Sequence, residues 1–163
     1  MPTVVRHAYI HIAFKLLMKF KILISFPLIS LAACSQAPCE KCDLEVVKMT
    51  DHNIQSLNIE MINAFICAFD TACAKNAEYS EWSNEVLFKI ANQYPDYLLT
   101  AIKANRPSIP FLLHQFQNPV NDTISLQTIY DKLKATPAQM KFKEQFLAAI
   151  VQAARKTGRQ IVQ

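Results

Sequence analysis

The chain has 163 residues, with 17 basic and 13 acidic side chains and a formal net charge of +4. Four basic residues and no acidic ones precede residue 34, so the charges of the remainder balance and give no reason to expect a nucleic-acid partner. The only glycine is Gly158, which argues against glycine-dependent hairpins and phosphate-binding loops. We therefore expect an all-α protein with neither a nucleic-acid partner nor a cofactor.

Residues 18–34 read MKFKILISFPLISLAAC and have the pattern of a secretory signal peptide: lysines, a short apolar run, then small residues. The apolar run, Ile22 to Ala33, is shorter than the roughly 20 residues that span a bilayer, and Pro27 interrupts it. A permanent transmembrane anchor is therefore not expected. Translation is expected to start at Met18, with one long leader from Met1 as the alternative.

The last four residues of this segment, Leu31-Ala32-Ala33-Cys34, resemble the lipobox of bacterial lipoproteins. This resemblance covers residues 18–34 alone. It implies removal of residues 1–33, diacylglycerol on Cys34 and a membrane anchor in the bacterial envelope. Ser35, where an aspartate would signal retention at the inner membrane, resembles the outer-membrane sorting of enteric-type bacteria. The implied location is the outer membrane, facing the periplasm.

Lipidation of Cys34 leaves an even number of cysteines: Cys39, Cys42, Cys67 and Cys73. In a secreted chain these predict disulfides, with three possible connectivities. Cys67 and Cys73 are too far apart to pair on an unbroken helix. Either the helix breaks near Asp70-Thr71 and they pair, or each reaches back to Cys39 or Cys42. The Cys39-x-x-Cys42 spacing also occurs in redox sites and in zinc sites. A redox site is less favoured because no βαβ pattern is present, and a zinc site is less favoured because Cys67 and Cys73 are spaced too widely for a second pair of ligands.

The periodicity predicts a polar tether over residues 34–53 and an irregular bundle or short stack of about six helices over residues 54–163. The first helix would begin near Ile54, capped by Thr50, Asp51 or Asn53. The other helices are marked by starts at Tyr79, Pro95, Ser108, Ser125 and Thr136-Pro137, and the last ends at Gly158. The third helix carries Tyr97, Leu98, Ala101 and Ile102.

Three carboxylates, Glu78, Glu81 and Glu85, form the densest polar cluster and suggest a cation site or an acid and base pair. The favoured interpretation is that they complement a helix dipole. Likewise, residues 118–123 suggest a calcium loop but are better explained as a turn and cap. His52 and His114 have no catalytic context.

Residues 131–163 hold 7 basic and 2 acidic side chains. We interpret them mainly as the solvated face of a helix whose cations complement its dipole, and contact with anionic lipid or a partner is the alternative.

No common catalytic motif is present. We therefore expect a non-enzymatic, membrane-anchored lipoprotein whose helical domain binds a protein, as an adaptor or as an inhibitor of immunity type. One alternative is an enzyme that uses Glu78, Glu81 and Glu85. Another is a binder of an apolar ligand in a helical cavity lined by Phe65, Trp82 and Phe116.

Overall fold

The computed structural model describes residues 39–105, 107–137 and 141–162. Within these ranges the chain forms seven α-helices and one 3-10 helix without any strand, so the all-α prediction is confirmed. The α-helices are α1 (Leu44–His52), α2 (Ile59–Ala68), α3 (Ala77–Gln93), α4 (Pro95–Asn105), α5 (Ile109–Gln117), α6 (Leu126–Ala135) and α7 (Lys141–Lys156). The 3-10 helix, Thr71–Lys75, lies between α2 and α3.

Helix α1 lies where the sequence predicts the tether. Asp43 is its N-cap and accepts hydrogen bonds from the backbone N–H groups of Glu45 and Val46. Val47 and Thr50 are fully buried, and the Thr50 hydroxyl donates to the carbonyl of Val46. The predicted tether over residues 34–53 is therefore too long at its C-terminal end, because the buried face of α1 belongs to the folded domain.

Short-range signals locate several helix ends correctly. Pro95 is the first residue of α4, and the Ser125 hydroxyl accepts the backbone N–H of Thr128 at the start of α6. After α7, Gly158 has a φ of +70°, and the N–H of Arg159 bonds the carbonyl of Ala154 at 2.8 Å. This is the glycine-dependent helix stop predicted from the sequence.

Two other predicted starts are wrong. The N-cap of α2 is Asn58, whose side chain accepts the N–H of Met61, so Ile54 lies in the preceding connection. Thr136 is the C-cap of α6, where its hydroxyl donates to the carbonyl of Lys132, and Pro137 is not helical, whereas residues 138–140 lie outside the described residues. Both errors have the same cause: a polar residue next to an apolar run does not by itself show which neighbouring helix it serves.

The central element is α3, which contacts α1, the 3-10 helix, α4, α5 and α6. Helices α1, α2 and α4 pack together on the N-terminal side, and α7 packs against α5 and α6. Aromatic rings fill both sides of the core: Phe69 lies against Phe65 and Phe111, and Phe116 lies against Phe88 and Phe146. None of the described helices is both long and apolar enough to cross a membrane.

Candidate functional site

Two disulfides join the start of the described chain to the region between α2 and α3. Cys39 is bonded to Cys67 and Cys42 to Cys73, with Cα–Cα distances of 6.0 and 5.3 Å. Helix α2 does end before Asp70, as one sequence alternative required, but Cys67 and Cys73 do not pair with each other. Each reaches back instead, and the C-x-x-C cysteines are bonded to separate partners.

The turn between the two bridges is fastened by its backbone as well. Cys42 has a φ of +60°, a left-handed conformation that residues other than glycine rarely adopt, and its N–H donates to the carbonyl of Ala68 at 3.0 Å. The Lys41 ammonium donates to the carbonyl of Cys67. Residues 39–42 are therefore held against the end of α2 by one disulfide and two hydrogen bonds, and against the 3-10 helix by the second disulfide.

On the surface of α3, Asp51 of α1 forms a small polar cluster. Its carboxylate accepts hydrogen bonds from Lys89 Nζ at 2.6 Å and from Trp82 Nε1 at 3.0 Å. Partial burial by itself raises the pKa of Asp51, but the hydrogen bonds from Lys89 and Trp82 outweigh it, so the pKa lies below its ordinary value. Asp51 is therefore a carboxylate at neutral pH, and it binds the Lys89 ammonium.

A cleft of about 400 Å³ lies between the second half of α3 and the start of α6. We call it the α3–α6 cleft. Buried Phe88 and Ile129 contribute apolar walls, together with half-buried Ile124. Its polar lining residues are Glu85, Lys89, Asn92, Gln93, Asn121, Thr123, Ser125 and Thr128.

Most of the polar groups in the α3–α6 cleft are already hydrogen-bonded within the protein. Lys89 is paired with Asp51, and the Asn92 side-chain oxygen accepts from Lys132 at 2.9 Å. On the opposite wall the hydroxyls of Ser125 and Thr128 bond each other at 2.7 Å. The Glu85 carboxylate has no hydrogen bond or ion pair with any residue in the described ranges.

The loop that forms this opposite wall is held by a buried amide, that of Asn84. Its Nδ2 lies within hydrogen-bonding distance of the side-chain oxygen of Gln115 and of the carbonyls of Gln115 and Asn118, and its Oδ1 accepts the N–H of Val120. Asn84 is fully buried. Its role is not predictable from the sequence, because its partners lie more than thirty positions away.

The three carboxylates proposed as a cluster do not surround one pocket. Glu78 and Glu81 are exposed, and only Glu85 lines the α3–α6 cleft. Phe65 and Phe116 are fully buried in the core, whereas Trp82 is partly exposed and bonded to Asp51, and none of the three lines the cleft. At this cleft, the three carboxylates therefore do not form a shared acidic site, and the three aromatic residues do not line an apolar cavity.

The loop at residues 118–123 has the predicted turn. The Asn121 side-chain oxygen accepts both the N–H and the hydroxyl of Thr123, at 2.9 and 2.7 Å. His52 and His114 are exposed, each in the last turn of its helix. Within the described residues, no group of three His, Cys, Asp or Glu side chains is placed to hold a metal ion.

The basic residues near the C-terminus are largely engaged inside the fold. Lys132 donates to the carbonyl of Asn92 at the end of α3, and Lys143 donates to the carbonyl of Lys134 at the end of α6. At the end of α5, Lys156 donates to the carbonyl of Gln117 and to the side-chain oxygen of Asn118. Cations favour the carbonyl ends of helices, so these lysines stabilise the fold.

Two tyrosines next to the cleft are on the surface. Tyr97 is 45% exposed, and its ring stacks on that of Tyr94 with centroids 6.2 Å apart and a 7° angle between the planes. Gln93 precedes the pair and also lines the α3–α6 cleft. Gln93 also lines a second hollow together with Tyr94 and Tyr97, so the pair lies beside the α3–α6 cleft.

Cys34, the predicted leader before it and Ser35, the residue expected to direct outer-membrane sorting, lie outside the described residues. Comparisons of the chain with models of protein families, with curated proteins and with solved structures give no match.

Proposed function

We propose that the protein is a bacterial envelope lipoprotein, anchored by a lipid on Cys34, whose helical domain binds a protein partner as an adaptor or as an inhibitor of immunity type. Two lines of support concern location: the lipobox resemblance and the pair of disulfides. Disulfides persist in oxidising compartments such as the periplasm. They are rare in reducing compartments, so the bridges Cys39–Cys67 and Cys42–Cys73 fit an exported protein.

The position of the disulfides suits a surface-held domain. The chain between Cys34 and Cys39 reaches at most about 17 Å when fully extended. Cys39 is bonded to Cys67 of α2 with 6.0 Å between the Cα atoms, so a lipid on Cys34 would keep the end of α2 within about 23 Å of the membrane surface. An anchor followed at once by two bridges limits the directions that the domain can face.

The observation that carries the protein-binding proposal is a stacked pair of tyrosines beside a cleft, in which the Tyr97 ring is exposed and the Tyr94 ring is half-buried. Tyrosines combine a large apolar ring with a polar tip and are enriched at the centres of protein interfaces. Tyr94 and Tyr97 are already stacked, so little side-chain freedom remains to be lost on binding. The surface at the junction of α3 and α4 is the face that we assign to the partner.

The test is affinity capture from crosslinked bacterial envelopes with the full lipidated chain and two variants. Tyr97→Ala removes the exposed ring of the pair, and Met49→Ala, on α1, removes a side chain of similar exposure, 47%, as a control. We expect one envelope protein to be enriched with the wild type and with Met49→Ala, and its recovery to fall about ten-fold with Tyr97→Ala. Quantitative mass spectrometry of the captured proteins measures this ratio.

Failure to enrich any protein above the background of an unrelated lipoprotein would contradict the proposal. Equal recovery with Tyr97→Ala and Met49→Ala would show that a partner binds the protein, but not at the surface formed by Tyr94 and Tyr97. Circular dichroism of both variants checks that each retains the helical fold.

A further inference from the structure

The α3–α6 cleft contains one carboxylate, that of Glu85, which forms no hydrogen bond or ion pair within the described residues. Lys89 sits one turn after Glu85 on α3 and has the spacing for an ion pair with it, but Lys89 bonds Asp51 at 2.6 Å instead. Lys132 is likewise occupied by Asn92, at 2.7 and 2.9 Å. Lys89, the one cation among the residues that line the cleft, is therefore engaged, and the Glu85 carboxylate has no ion pair among the described residues.

The other walls define what shape of ligand suits that carboxylate. Phe88, Ile124 and Ile129 contribute apolar surface, so the ligand needs an apolar portion next to its charge. The cleft has a volume of about 400 Å³, which is enough for one long side chain or one small ligand. Gln93, exposed at the junction with α4, adds an amide oxygen near the Tyr94 and Tyr97 pair.

We propose that the α3–α6 cleft binds an arginine side chain of the protein partner, with Glu85 as its carboxylate. This proposal rests on the proposed function and names the chemistry of the partner. The arginine stem packs against Phe88 and Ile129, and its guanidinium donates to Glu85. A guanidinium is planar and matches a carboxylate with two parallel hydrogen bonds, whereas an ammonium does not.

Asn84 acts as a positioning residue for this site. Its amide holds the Asn118 to Val120 segment against α3, and that segment leads into the wall formed by Asn121, Thr123 and Ile124. The cleft therefore keeps its shape in the absence of the partner. A preformed site loses less conformational freedom when it binds.

The test is a titration of the protein, purified from envelopes in detergent with its disulfides intact, with capped arginine (N-acetyl-arginine amide). Nuclear magnetic resonance follows the Ile124 methyl and the Gln93 side-chain amide. Matched ligands are capped citrulline, an uncharged isostere of arginine, and capped lysine. The variant is Glu85→Gln, and the control is Glu81→Gln, which removes an exposed carboxylate one turn earlier on the same helix.

We expect saturable shifts at the cleft with capped arginine and a dissociation constant of about 1 mM. Binding should weaken at least about ten-fold in Glu85→Gln and with citrulline, and should not change in Glu81→Gln. An absence of saturable shifts, equal effects of the two variants, or binding of citrulline or lysine as tight as that of arginine would overturn the proposal. If arginine fails while Tyr97-dependent capture of a partner remains, only this inference falls and the proposed function stands.

Discussion

The N-terminal and C-terminal halves of the domain hold their connections by different chemistry. Before α3, one disulfide joins the turn at residues 39–42 to α2 and a second joins it to the 3-10 helix. After α3, the ends of α5 and α6 are held by lysines donating to carbonyls, and Arg159 donates to the carbonyl of Asp122 at 2.9 Å. The half nearest the proposed lipid is crosslinked covalently, and the half that carries the cleft wall is held by hydrogen bonds.

This difference matters because the two kinds of bond respond to different conditions. A disulfide acts mainly on the unfolded chain, whose freedom it limits, and it is lost on reduction. A hydrogen bond from an exposed lysine is worth far less and is weakened by salt. The two halves should therefore differ in their sensitivity to reductant and to ionic strength.

The largest expected effect comes from opening the disulfides. Replacing Cys42 and Cys73 by Ala opens a loop with a sequence separation of 31, for which the chain-entropy model gives a loss of about 4 kcal/mol. The Cys39→Ala/Cys67→Ala variant opens a loop of similar length, with a separation of 28. Its loss of unfolding free energy should be smaller, because Cys39 and Cys67 are only half-buried whereas Cys73 is fully buried. Urea unfolding of the two variants and the wild type measures both losses. An unchanged urea midpoint for either pair would show that its bridge does not stabilise the domain.

A smaller effect is expected from Lys156→Met in the C-terminal half. The Lys156 ammonium donates to the Asn118 side chain at 2.8 Å and to the carbonyl of Gln117 at 3.3 Å, both at the end of α5. Methionine keeps an unbranched stem but removes the donor, and we expect a loss of about 0.5–1 kcal/mol in the free energy of unfolding. The control is Arg155→Met, which removes the same charge from a neighbouring residue without a hydrogen bond in the described structure. Thermal unfolding at low and high salt should separate the two variants at low salt only. Equal losses would mean that net charge, and not the bond to α5, is responsible.

What the sequence predicts well is local. The start of α4 at Pro95, the cap at Ser125 and the stop at Gly158 each depend on one residue and its nearest neighbours along the chain. The all-α class follows from the helical spacing of apolar residues and the near absence of glycine. These features need no knowledge of which helices touch.

What the sequence does not predict depends on distant contacts. Helix α1 is polar on average, and only the burial of Val47 and Thr50 against the rest of the domain shows that it belongs there. The disulfide pairing stayed open because both alternatives fit a break after α2. Glu85 has the spacing to pair with Lys89 on α3, but Lys89 binds Asp51, which is 38 positions away in sequence.

Mass spectrometry of the protein purified from envelopes tests whether a lipid on Cys34 precedes the disulfide-crosslinked turn. We expect an N-terminal Cys34 carrying diacylglycerol, with peptides joined as Cys39–Cys67 and Cys42–Cys73 before reduction and a gain of four hydrogens after it. An unmodified Cys34, or a bond between Cys39 and Cys42, would contradict this expectation.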